Sequence, residues 1–241
     1  MDLRLESYES ISEYLQDLFH ILHVRYLALL SDRLSKEPRD VRIEIRNNDR
    51  FEIGSGDDVV YVDVSFLTGV ISVVNAAQSV IDGADPSESM KDLEIRWSAA
   101  KGIHIDPDRY DTVIPMSVSV VAYVMMHDLG HIYLEGEEHE KEIRADVLSA
   151  EVIASMINDP PTIVKDLFGR ASGCSPLLFW DIGQIIWGDN PFEDCMARKS
   201  ILKKELSAIL QSLPGESMDY YYAIESAMEK MNLSVVSLTS R

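Results

Sequence analysis

The sequence predicts a mostly helical α+β fold with a small antiparallel sheet near the N-terminus. Apolar residues recur at three- and four-residue steps through most of the 241 positions, whereas short alternating runs occur only between residues 41 and 64. The 12 Gly and 9 Pro residues mostly punctuate helical stretches. No internal repeat and no linker-like segment divides the chain, so a single domain over residues 1–241 is the economical layout.

Each element has its own signal. Ile11, Tyr14, Leu15, Leu18, Leu22 and Tyr26 form an apolar stripe, which predicts a helix from about Ser7 to Leu30. Val41 to Arg46 alternates apolar and charged residues, Asn47-Asn48-Asp49 is a turn, and Asp58 to Val64 alternates again, with Gly54 and Gly56 between them. A helical pattern runs from Ser65 to about Ile81, and Asp85-Pro86-Ser87 starts another that reaches about Ala100. Lys101 to Thr112 reads as a loop, and Pro115 fits the first turn of a helix continuing to about Leu134, where Gly136 breaks it. Glu137 to about Met156 is the next helix, ended by Asn158-Asp159-Pro160-Pro161. Further helices are expected near Thr162–Phe168, Pro176–Ile186, Phe192–Leu213 and Glu216–Met231.

Composition narrows the function classes. Forty-one Asp and Glu against 22 Lys and Arg give a formal charge of −19, which repels phosphate backbones and argues against general nucleic-acid binding. Two cysteines make neither a disulfide framework nor a cysteine-rich zinc module, which fits a reducing compartment. The opening MDLRLESYES carries acids where an export signal carries basic and then apolar residues. A soluble cytoplasmic protein without a membrane partner is expected, and its oligomeric state is not legible.

The informative stretch is His127-Asp128-Leu129-Gly130-His131, followed by Glu142-Ile143-Arg144-Ala145-Asp146. Histidines four apart share a helix face, so both imidazoles can reach one metal ion. Asp128 lies about 100° around that helix, where its carboxylate could address a metal-bound water. If Gly136 is the apex of an antiparallel helical hairpin, His131, five positions before it, faces Glu142, six after. Glu142 then becomes a third ligand. By the same counting His127 faces Asp146, which could fix the tautomer of a ligand histidine. The small residues Gly130, Ala145, Ser149 and Ala150 sit where two such helices must approach closely.

His127-Asp128-Leu129-Gly130-His131 with Glu142-x-x-Ala145-Asp146 resembles the HExxH plus ExxAD pattern of gluzincin-type zinc metallopeptidases, particularly the ImmA/IrrE-like and phage-exclusion (Lit-like) families. The likeness covers about residues 114–155, and Asn190-Pro191 with Arg198 looks like a His-Pro and Arg element that has lost its His. The resemblance implies a zincin-like helical hairpin, Zn2+ held by His127, His131 and Glu142, and a peptide or protein substrate. It implies a general base at position 128. There the family carries Glu, and Asp128 is one methylene shorter, so either the site is repositioned or activity is weakened or lost.

Two other readings compete. His127-Asp128 also looks like the HD dyad of metal-dependent phosphohydrolases, whose upstream histidine would have to be His104, His20 or His23, and which leaves His131 and Glu142 without a role. A non-catalytic binding protein, with a structural metal or none, would use the same histidines as core residues. Tyr133 and Tyr220-Tyr221-Tyr222 are more often packing residues than oxyanion donors, and His139 is better read as exposed than as a ligand.

Overall fold

The first helix starts where Ser7 accepts a hydrogen bond from the backbone N–H of Ser10 at 3.2 Å, an N-cap that satisfies one of the donors a helix start leaves open. The structure is a computed structural model. It describes residues 7–34, 36–37, 39–99, 105, 107–158, 173–187, 195–212 and 215–239. Helix α1, Tyr8–Leu30, buries the expected stripe together with Phe19.

Strands β1 (Arg42–Arg46), β2 (Ile53–Gly56) and β3 (Val59–Asp63) follow, in the order β1-β3-β2. The sheet is mixed rather than wholly antiparallel: β2 pairs antiparallel with β3, but β1 pairs parallel with it. Alternation in sequence shows which residues point inward and is blind to strand direction. Residues 47–52 wrap the C-terminal end of β3, where the buried carboxylate of Asp63 accepts the N–H groups of Asn48 and Arg50. Asp63 also accepts the backbone N–H of Ser65 at 2.9 Å and so caps the next helix. One side chain closes the sheet and opens the helical layer.

Helix α2 (Val64–Ile81) leads through α3 (Pro86–Ala99) to α4 (Tyr110–Tyr133). The fourth helix begins before Pro115, not at it: residues 110–112, expected in a loop, are helical, and the 3-10 turn Pro107–Arg109 precedes them. Pro115 lacks the N–H that would bond to the carbonyl of Asp111, an exposed residue, so the missing bond falls where the helix end meets solvent. Helices α2 and α4 are long and apolar enough to cross a membrane, but 72% and 89% of their most apolar windows are buried in the fold. They are its central rods.

Helix α5 (Glu138–Asn158) returns along α4. Gly136, at φ +136, makes the reversal, a backbone conformation that side chains bearing a Cβ rarely adopt. The two helices touch closely at Gly130, where an added Cβ would stand 2.8 Å from the Cβ of Ala145. Helices α6 (Ser175–Trp187), α7 (Cys195–Ser212) and α8 (Gly215–Thr239) complete the described residues. The expected helix at Thr162–Phe168 lies outside them, as do the first residues expected of α7.

Candidate metal centre

The hairpin places the imidazoles and the acids as the counting from Gly136 requires. His131 Nε2 lies 3.0 Å from Glu142 Oε1, His127 Nε2 lies 3.3 Å from Glu142 Oε2, and the two Nε2 atoms are 2.9 Å apart. One ligand atom from each of these residues falls within 4.8 Å of the others, so the group could hold a metal ion. A tetrahedral zinc ion with bonds of about 2.0–2.1 Å separates its ligand atoms by about 3.3 Å. The donor set fits zinc in chemistry and in spacing.

Behind this trio stands a second layer. His127 Nδ1 is 3.0 Å from Asp146 Oδ1, near enough for ion pairing though without the alignment of a good hydrogen bond. Tyr123 donates its hydroxyl to the same oxygen at 2.8 Å. Arg198, on α7, donates from Nε and Nη2 to the two oxygens of Asp146 at 2.8 and 3.0 Å, and its Nη1 lies 2.7 Å from Glu142 Oε2. The guanidinium also lies over the ring of Trp180, 4.7 Å from its centroid. Tyr123 could have been found in the sequence, because it continues the four-residue step of His127 and His131. Arg198 carried only the weak family signal, and its companions Asn190 and Pro191 lie outside the described residues.

Burial works against charge throughout this cluster, and mutual attraction mostly overcomes it. Burial pulls the His127 pKa down, but Asp146 and Glu142 lift it to about 10. Burial pushes Glu142 up, yet His127, His131 and Arg198 hold it well below the usual carboxylate range. Asp146 is held low in the same way by His127 and Arg198. Asp128 is the exception. Its burial outweighs His127, His131 and a hydrogen bond from Ser55, so its pKa is raised.

Asp128 does not join the ligand trio. It is 7% exposed and accepts the Ser55 hydroxyl of β2 at 3.1 Å through Oδ1. That contact ties the sheet to the helix 73 residues later, and no sequence signal announced it. Asp128 and His131 open onto a cavity of about 860 Å³ between α4, the β2–β3 turn, Lys36 and Arg39.

The remaining candidates separate. His139 is exposed, His20 is exposed on α1, and His104 lies outside the described residues. His23 Nε2 sits 2.7 Å from the Tyr133 hydroxyl, which donates to the Arg39 carbonyl. Tyr220 and Tyr221 bond to Gln78 and Glu225. These are packing residues with hydrogen-bonded tips. No protein-family model, curated protein or solved structure matches the chain.

Proposed function

We propose that the chain is a zinc-dependent hydrolase of peptide bonds, with His127, His131 and Glu142 as ligands and Asp128 as general base. The observation that carries this reading is that two histidines and a carboxylate converge within reach of one ion, and that one of them, His131, shares a cavity wall with the separate buried carboxylate of Asp128. A bound zinc ion would acidify a water molecule and polarise the scissile carbonyl. Everything else falls to the chain's own residues.

Asp128 Oδ1 is engaged by Ser55, which leaves Oδ2 to take a proton from the attacking water and hand it to the departing amine. Burial raises the affinity of this carboxylate for that proton, which favours a base. Ser55 fixes where the carboxylate points. Asp146 and Arg198 hold His127 and Glu142 in a ligating arrangement. The phosphohydrolase alternative is less well supported, since it needs Asp128 as a ligand beside His127, whereas His131 and Glu142 are the groups gathered there.

The test is digestion of a defined peptide library by zinc-loaded protein, read by mass spectrometry. Cleavage should vanish in Asp128→Ala while zinc is retained, and should slow in Ser55→Ala at unchanged zinc content. Cleavage surviving in Asp128→Ala, or hydrolysis of phosphate esters and no peptides, would overturn the proposal.

A further inference from the structure

The whole chain is acidic, at −19, yet the cavity beside the candidate centre gathers three cations: Lys36, Arg39 and Lys141. Their partners differ. Arg39 is paired with Asp58, 2.5 Å away, so its charge is compensated. The ammonium of Lys36 donates to the carbonyl of Ile132 at 3.0 Å, a neutral acceptor, and its backbone N–H bonds to the Tyr133 carbonyl, so both ends of the residue are held against α4. Lys141 makes no ion pair among the described residues and directly precedes Glu142 on α5.

Two ammonium groups with no ion pair among the described residues, those of Lys36 and Lys141, therefore line the cavity onto which His131 opens. Three acids, Asp57, Asp58 and Asp128, line the same cavity. Asp58 is occupied by Arg39, Asp128 is held by Ser55, and Asp57 is exposed on the β2–β3 turn. Lysine stems keep positive charge at the water-filled mouth of a site at little desolvation cost.

Resting on the peptidase reading, we infer that the substrate presents a carboxylate next to the bond cleaved, from an Asp or Glu side chain or from a free C-terminus, and that Lys36 and Lys141 bind it. The long-range field of so acidic a protein repels such a group, so any preference for it must come from local contacts.

The experiment uses the zinc-loaded 241-residue chain and a random-sequence peptide library in free-acid and C-terminal amide forms. Both retention by equilibrium dialysis and cleavage are read by mass spectrometry. Retained peptides should be enriched about fivefold or more in Asp, Glu or free C-termini, and the amide form distinguishes the two carboxylate sources. The enrichment should disappear in the Lys36→Gln, Lys141→Gln double variant, in which the side-chain amide at position 36 can still donate to the Ile132 carbonyl. Neutral or basic enrichment, or acidic enrichment that survives the double variant, overturns the inference. Cleavage without acidic preference would sink this inference and spare the peptidase reading; acidic retention without cleavage would do the reverse.

Discussion

Arg198 and Lys199 are neighbours on α7, yet each is the cation of a different cluster, one buried and one half-buried. Lys199 places its ammonium 2.7 and 2.8 Å from the two oxygens of Asp181 and 3.1 Å from Glu225, whose same oxygen accepts the Tyr221 hydroxyl at 2.7 Å. This knot joins α6, α7 and α8. It contains no imidazole, and its two carboxylates converge on the Lys199 ammonium. Around Arg198 the acids are shared with two histidines, and three lone-pair donors converge. The electrostatic outcomes differ as well: burial wins at Asp181, whose pKa is raised, whereas cations win at Asp146. Two similar inventories of charge give a clamp in one place and a set of converging lone-pair donors in the other.

The sharpest way to break that comparison is to remove each cation in turn. Arg198→Met should destabilise the metal-free protein by about 3–5 kcal/mol, because it takes the guanidinium away from two carboxylates and leaves them His127 alone as a cationic partner, and zinc should restore part of the loss. Lys199→Met should destabilise by less, since burial raises the Asp181 pKa and lets that carboxylate give up its charge more readily, and zinc affinity should not change. Denaturant titrations with and without zinc check both. If Lys199→Met weakened zinc binding as much as Arg198→Met, the two clusters would not be separate.

Gly130→Ala acts on geometry instead of charge. Its Cβ would meet that of Ala145 at 2.8 Å, so the hairpin must open at about 1–3 kcal/mol, and His127 and His131 would shift relative to Glu142. Thermal unfolding and zinc titration should both move. Asp146→Asn tests the second layer: zinc affinity should fall about 10–100-fold while the metal-free fold persists.

The pH response is the smallest effect per step. The pKa of His127, about 10 in the fold, lies above its unfolded value, so its contribution is fully present below about pH 6.5 and is lost as pH rises toward 10, at no more than about 1.4 kcal/mol per pH unit. Glu142 and Asp146 have the opposite sign: their depressed values add stability above the ordinary carboxylate range, lost on acidification. A metal must displace the His127 proton. Calorimetry at pH 7.5 in buffers of different ionisation enthalpy should therefore find about one proton released per zinc bound.

How far the sequence could lead depended on distance along the chain. The helices followed from periodicity, and Gly136 as apex was enough to pair His131 with Glu142 and His127 with Asp146, because a helical hairpin turns sequence offsets into spatial ones. The close approach at Gly130 and Ala145 was legible for the same reason. Partners from afar were not. Ser55 reaches Asp128 across 73 positions and Arg198 reaches Asp146 across 52, and serines and arginines are too common for spacing to single them out; only the family likeness pointed to Arg198, and it did not name Asp146 as its partner. The parallel pairing of β1 was hidden because alternation carries no direction, and the early start of α4 because Pro115 reads as a helix opening.

The most direct test of the central claim is zinc stoichiometry on protein purified without added metal, for the wild-type chain and for His131→Ala and Glu142→Ala. One zinc per chain, lost in both variants with the fold intact by circular dichroism, is the expected result. A metal-free wild type that takes up no zinc on titration, or zinc retained by both variants, would contradict it.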